Sequence, residues 1–241
     1  MNKIYQKQNK IKRLGVKMNL LKKFSRFSML IVGVLTVISA ASCKKADSLY
    51  DSVSVLRSDI YEGLYNGVTV TAELIYGEYP EIRDGIVGDK ETRLIFTVPI
   101  TEPDRSYSVT MDYGGRLYSE NFVYDGVKNV LTATLFPEGF DKKSFSAKIA
   151  LSSSVTEVEF DSVIKGDFLS HKKILDSLNV SQKTYLSSFI SDGKFSGEII
   201  MKIAFMSGRI FWYVAVCNAD GGKAMLLDGA TADLIAIRDV L

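Results

Sequence analysis

Residues 68–76 read Val68-Thr69-Val70-Thr71-Ala72-Glu73-Leu74-Ile75-Tyr76, and residues 94–100 read Leu94-Ile95-Phe96-Thr97-Val98-Pro99-Ile100. Val68, Val70, Ala72, Leu74 and Tyr76 recur at every second position of the first stretch, as do Leu94, Phe96, Val98 and Ile100 in the second. Successive side chains of a strand point to opposite faces, so a period of two marks a half-buried strand. Outward from this pair, further strands are expected at 107–111, 117–124, 130–136, 145–151 and 155–160. Turn signals separate them, including Gly114-Gly115, Asp125-Gly126, Glu138-Gly139 and Ser152-Ser153. Short strands at this spacing predict an antiparallel, Ig-like β-sandwich over residues 62–165. A true immunoglobulin Cys-Trp-Cys core is not expected, because the strand region holds neither the cysteines nor the tryptophan.

Near Gly166 the period changes. Ile174, Leu175, Leu178, Tyr185, Leu186 and Phe189 fall at three- and four-residue intervals, which predicts an amphipathic helix or two shorter ones broken around Asn179–Ser181. Ser181 is the expected N-cap of the second piece. Two apolar stretches, 198–206 and 209–217, then flank Ser207-Gly208, the composition of a tight hairpin. Residues 224–227 and 234–238, on either side of Asp228-Gly229, complete a four-stranded antiparallel meander. The fold expected for 166–241 is therefore α+β, a helix over one face of that meander, and the whole mature chain is mainly β.

The N-terminus has a different character. Nine basic side chains lie between Lys3 and Arg26 with no acidic one among them, and an apolar run follows from Phe27 to Ala41. At 15 residues this run is shorter than the roughly 20 needed to cross a bilayer core as a helix, so it reads as an export signal rather than a lasting anchor. Met18 would serve as an alternative start, since Lys22, Lys23 and Arg26 remain behind it. The sequence Ala40-Ala41-Ser42-Cys43 resembles the lipobox of bacterial lipoproteins, with Ala40 where leucine is usual. What that resemblance implies is cleavage after residue 42 and acylation of Cys43 by palmitate-type chains. The mature protein would then be held extracytoplasmically, at the cell membrane or the outer membrane. An ordinary secretory signal cut near Ala41 is the alternative. Residues 43–61 are expected to form a lipidated tether, polar and mixed from Ala46, with Val55, Leu56 and Ile60 as candidates to begin the first element.

Removing residues 1–42 reverses the charge, because loss of nine basic and no acidic residues leaves 21 Lys and Arg against 28 Asp and Glu. An acidic chain without basic and aromatic interleaving is unsuited to tracking a phosphate backbone, which argues against nucleic acid as a partner. Cys217 is the remaining cysteine and sits in an apolar run, so neither an intramolecular disulfide nor a reactive thiol is expected.

The last 50 residues are similar to the C-terminal part of PepSY-like domains of secreted lipoproteins. The residues that carry the similarity are Asp192-Gly193-Lys194-Phe195, Phe211-Trp212-Tyr213-Val214-Ala215, the segment from Ala224 to Gly229, and Ala236-Ile237-Arg238. Thr231-Ala232-Asp233 stands where Thr-Gly-Glu is usual. The resemblance implies a small extracytoplasmic module, in some families proposed to restrain a peptidase, and it transfers no catalytic residue. Trp212 and Tyr213 must point to opposite faces of their strand, so one of them is expected to offer an aromatic contact surface.

Catalytic patterns are scarce. His171 is the single imidazole, it neighbours Lys172 and Lys173, and no Gly-x-Ser-x-Gly elbow accompanies it. One histidine and one unacylated cysteine make no zinc site. The acidic loop 77–91 offers Glu78, Glu81, Asp84, Asp89 and Glu91, but without the Asp-x-Asp-x-Asp-Gly order of a calcium loop. A solvated loop is the expectation there. No catalytic residue, metal or cofactor is assigned. The function expected from these residues is a non-enzymatic binding or structural module of the envelope, with an envelope protein or polymer as partner and the oligomeric state open. Regulation of an extracytoplasmic peptidase through 166–241 is the alternative.

Overall fold

The long strand β1 (Val53–Tyr65) organises the molecule. In the computed structural model, residues 49–81, 86–99, 106–151 and 154–240 are described, and Ser48–Leu241 forms one compact unit. The expected export segment 1–42, Cys43 and the first part of the expected tether lie outside the described residues.

β1 turns back at Asn66-Gly67 into β2 (Val68–Glu78), and the two pair antiparallel from Val55↔Gly77 to Tyr65↔Val68. β3 (Lys90–Pro99), β7 (Val130–Leu135) and β6 (Val123–Asp125) follow in order on the β2 side. The other edge of β1 serves two neighbours in succession. Residues Val53 to Arg57 pair in parallel with β12 (Glu198–Met206), whereas Tyr61 and Glu62 pair antiparallel with β9 (Ser154–Ser162). From β9 the pairing runs through β8 (Ser144–Leu151) and β4 (Tyr107–Tyr113) to β5 (Arg116–Asn121). From β12 it runs through β13 (Arg209–Asn218) and β14 (Gly221–Asp228) to β15 (Leu234–Val240). The protein is thus mainly β with largely antiparallel pairing, as the alternation predicts. The sheet continues across the boundary expected at 165/166.

Alternating residues of β1, β2, β3 and β7 share one apolar cluster with those of β4, β8 and β9, including Tyr61, Leu94, Phe96, Val109, Ile149 and Phe160. Phe145 and Phe160 stack there at 5.1 Å between ring centres. A second cluster lies under α1 (His171–Ser181) and α2 (Lys183–Ser187). Ile174, Leu175, Leu178 and Leu186 pack on Ile199, Met201, Val214 and Met225 of the sheet. Ser170 caps α1 by accepting from the Lys173 amide at 3.5 Å. Ser181 is the last residue of α1, its hydroxyl donating to the Ser177 carbonyl, so the helices break at Gln182 and the expected cap at Ser181 is not used. A two-residue hairpin, β10 (Ile190–Ser191) and β11 (Lys194–Phe195), follows at Asp192-Gly193.

The expected tether is corrected from Val53 onward, because residues 53–61 belong to β1. Val55 and Tyr61 are fully buried, and Ser54, Arg57 and Asp59 find partners inside the fold. Ser54 donates to Glu198 at 2.7 Å. Asp59, 3% exposed, sits at the β-bulge between Arg57 and Asp59. It accepts from its neighbour's amide at 2.9 Å, from Ser162 Oγ at 2.6 Å and from Lys143 Nζ at 2.9 Å. Burial, followed by the charge of Asp59, pushes the Tyr61 phenol far above its ordinary value of 10.0. Its hydroxyl donates to the Lys142 carbonyl.

Beyond Asp59 the β1 backbone passes close to β9. A Cβ on Gly63 would lie 2.6 Å from Val158 Cγ1 and 2.7 Å from the Glu159 carbonyl oxygen. Backbone cannot yield as a flexible side chain does, so Gly63→Ala is expected to destabilise the protein by about 1–3 kcal/mol. A lowered urea midpoint with unchanged slope would register this, and an unchanged midpoint would show that the two strands separate freely.

Candidate binding cleft

Where β1 passes from β12 to β9, those two neighbours diverge. An open cleft of about 640 Å3 lies in the gap, lined on one side by Glu62, Asp161, Ser162, Lys165 and Asp167 and on the other by Phe205, Arg209, Ile210 and Asp228, with Phe168 between. The backbone direction of β12 follows from one bond, Ile199 N–H to the Ser52 carbonyl at 2.8 Å. Alternate residues share that direction, so Ile199, Met201, Ile203 and Phe205 aim their backbone groups at the β1 side. Pairing with β1 ends at Arg57↔Lys202. Arg57 then closes the sheet with its side chain, donating to the Ile203 carbonyl at 2.6 Å and to Glu73 at 2.6 Å. Phe205 faces the cleft with no paired strand on that edge among the described residues, its side chain 42% exposed.

The far wall is held by the Asp228-Gly229 turn. Asp228 accepts from the amides of Ala230 at 2.9 Å and Thr231 at 3.1 Å, and from Arg209 at 2.7 Å. These amide bonds first, and Arg209 after them, hold the carboxyl below its ordinary 3.8. Gly229 accepts from the Leu169 amide and donates to the Ile210 carbonyl, and a Cβ there would collide with the Phe168 ring. Phe168 in turn stacks on Trp212 at 5.4 Å, and the Trp212 indole donates to the Leu169 carbonyl at 2.9 Å. The chain entering α1 is thereby fastened to β13 and to the turn between β14 and β15. The cleft so formed has four carboxylates and two cations, with the apolar side chains Phe168, Phe205 and Ile210 among them, a lining suited to an extended polar segment with intermittent apolar side chains.

The residues singled out from sequence fall elsewhere. Cys43 is outside the described residues. Trp212 is only 2% exposed, so the contact surface expected of it does not form; the helical layer covers it. Tyr213 is on the opposite face and half-buried beside Val55, Ile200, Ala215 and Ala224. His171 opens α1, half-buried, and burial followed by Lys172 moves its imidazole below 6.5. Cys217 is buried in β13.

The acidic loop is partly folded rather than solvated. Glu78 is 6% exposed and accepts from the Gly88 amide, whereas Glu81 crosses the outer sheet face to Lys202 at 2.9 Å. Arg93, also buried, donates to the Glu78 carbonyl at 2.7 Å and lies 4.9 Å from the Tyr79 ring centre. Asp84 is outside the described residues, Asp89 and Glu91 are exposed, and no group of metal-ligating side chains gathers among the described residues. Sequence reasoning missed Asp59, Arg57, Lys165, Arg209 and Phe205. No local signal marked Asp59, whose partners Lys143 and Ser162 are distant in sequence.

No family model, curated protein or solved structure matches the chain. The site stands on its own geometry.

Because the folded Asp228 carboxyl titrates below its unfolded value, its ionised form stabilises the fold fully above pH 3.8, and that contribution disappears as pH falls through the depressed value. Asp228→Asn should therefore lower the urea midpoint at neutral pH, with the difference from the parent narrowing in the acid range below 3.8. A difference independent of pH would contradict the role of the charge.

Proposed function

We propose that the chain is a cell-envelope lipoprotein, anchored through an acylated Cys43, whose folded body is a non-enzymatic binding or structural module. The observation that carries this reading is the order of the N-terminus: nine cations, an apolar run of 15 residues, then Ala40-Ala41-Ser42-Cys43 immediately before the folded unit. Leu49 already packs in the helical cluster, 6% exposed. Six residues extend at most about 20 Å, so acylation of Cys43 would hold the body against the lipid surface instead of on a long stalk. Two acyl chains make such an anchor stable.

Residues 62–165 read best as an Ig-like sandwich and 166–241 as a PepSY-like helix-plus-meander, the two joined by β1. The binding reading is supported by the cleft, where the Phe205 edge of β12 offers backbone groups to an added strand of an envelope protein. Asp228 in the cleft wall is committed to Arg209 and two amides. Peptidase regulation is the second reading. It is favoured by the same strand edge, because an extended polypeptide is the conformation in which peptidases take their substrates.

Full-length protein and Cys43→Ala should be compared by membrane fractionation and by mass spectrometry of the N-terminal peptide. Acylated Cys43 and a membrane-bound parent are expected, with release of the alanine variant. An unacylated thiol, or equal membrane retention of both forms, would overturn the anchor.

A further inference from the structure

The described chain begins on the helical layer. Leu49 is buried in the cluster under α1, the Tyr50 hydroxyl donates to Asp176 of α1 at 2.6 Å, and Lys172 lies 5.9 Å from the centre of the Tyr50 ring. Lys172, Asp176 and Val180 recur at every fourth position of α1, so they share one row along the helix. All three are exposed, Val180 at 81%. Between His171 and Phe195 the exposed cations Lys172, Lys173, Lys183 and Lys194 stand against Asp176 and Asp192, an excess of positive charge. Residues 43–241 as a whole carry 21 basic side chains against 28 acidic ones. Given an acylated Cys43, on which this rests, we propose that the outer face of the α1–α2 layer docks on the membrane, its lysines meeting anionic phospholipid headgroups.

Reach and charge both select this side. The chain from Cys43 to Leu49 spans at most about 20 Å. A compact unit of this size has a radius of gyration of about 16 Å, so its far side lies beyond that reach. Two surfaces adjoin the entry point. One is the helical layer, and the other is the segment 86–91, which Lys90 joins to the Asp51 carbonyl at 3.3 Å. That segment sets exposed Asp89 and Glu91 against the single cation Lys90. An anionic surface therefore repels it and selects the lysines of α1, α2 and β11.

The contacts suit an interface between water and lipid. Lysine stems lie along apolar surface while their ammonium groups stay hydrated among the headgroups, and Val180 supplies an apolar contact on the same row as Lys172. Lys44 and Lys45 directly follow Cys43, with Asp47 and Asp51 further along, so the residues next to the acyl chains are cationic as well. Acyl chains hold the protein at the membrane, and the lysine face sets which way the body lies on it.

The test uses the lipidated protein in vesicles of phosphatidylcholine and phosphatidylglycerol that contain lipid with a nitroxide on its headgroup. A fluorophore is placed on Val180→Cys or on Leu117→Cys, the latter position 68% exposed in β5. Protein without either substitution, in which Cys217 is 8% exposed, is the blank. Flotation reads the anchor and quenching reads the face. Both labelled forms should float, with the Val180 label quenched at least about twofold more than the Leu117 label. In vesicles of phosphatidylcholine alone, or with Lys173→Gln, Lys183→Gln and Lys194→Gln combined, the protein should still float while that preference falls. Failure to float would overturn the anchor and the docking face together. Flotation with equal quenching, or with a preference unchanged by removing phosphatidylglycerol or the three lysines, would overturn the docking face and leave the anchor standing.

Discussion

One edge of β1 has to satisfy two neighbours that run in opposite directions. A strand has one row of backbone donors and acceptors per side, so β12 and β9 can share that side only by taking different lengths of it. The change-over falls between Arg57 and Tyr61, and it would leave polar groups stranded in the interior. The bulge at Asp59 and two charged side chains resolve this. Asp59 gathers Ser162 and Lys143 from the β9 side, and Arg57 takes the Ile203 carbonyl from the β12 side. Breaking such a buried group's partners typically costs about 1–3 kcal/mol per unsatisfied atom, more for a charge. That cost makes the position of the fork specific.

The same fork creates the cleft. Because β9 and β12 leave β1 on diverging courses, an opening lined by both is unavoidable, and its chemistry is set by what the diverging ends carry: Asp161, Lys165 and Asp167 on one side, Phe205, Arg209 and Asp228 on the other. Close packing at Gly229 and the Phe168–Trp212 stack keep the second wall in place. A cleft built this way needs no dedicated domain. It is a by-product of joining two apolar clusters through one strand, and it lies between the regions that sequence periodicity treats as separate.

Much of the β structure was legible because the period-two pattern in β2, β3, β4, β7, β8 and β9 reports a buried face wherever the opposite face is solvated. The hairpin at Ser207-Gly208 was legible from turn chemistry, since both residues have positive φ. β1 was not. Asp59 and Arg57 find partners 84 and 146 positions away, in Lys143 and Ile203, and no local pattern encodes them. Alternation also showed that Trp212 and Tyr213 lie on opposite faces, but not which face the helices cover. For the acidic loop, composition suggested solvation, whereas Glu81 finds Lys202 across 121 residues.

If β1 holds the two clusters together, its amides must be among the last to exchange with solvent. Native-state hydrogen exchange resolved to residues 53–65 measures this directly. The account predicts that the amides of Val55, Tyr61 and Gly63 exchange only through global unfolding, at the same free energy as the amides of Met201 and Val214. Exchange of residues 53–61 at the rate of an open chain, while β12 and β13 stay protected, would contradict it and return that segment to a tether.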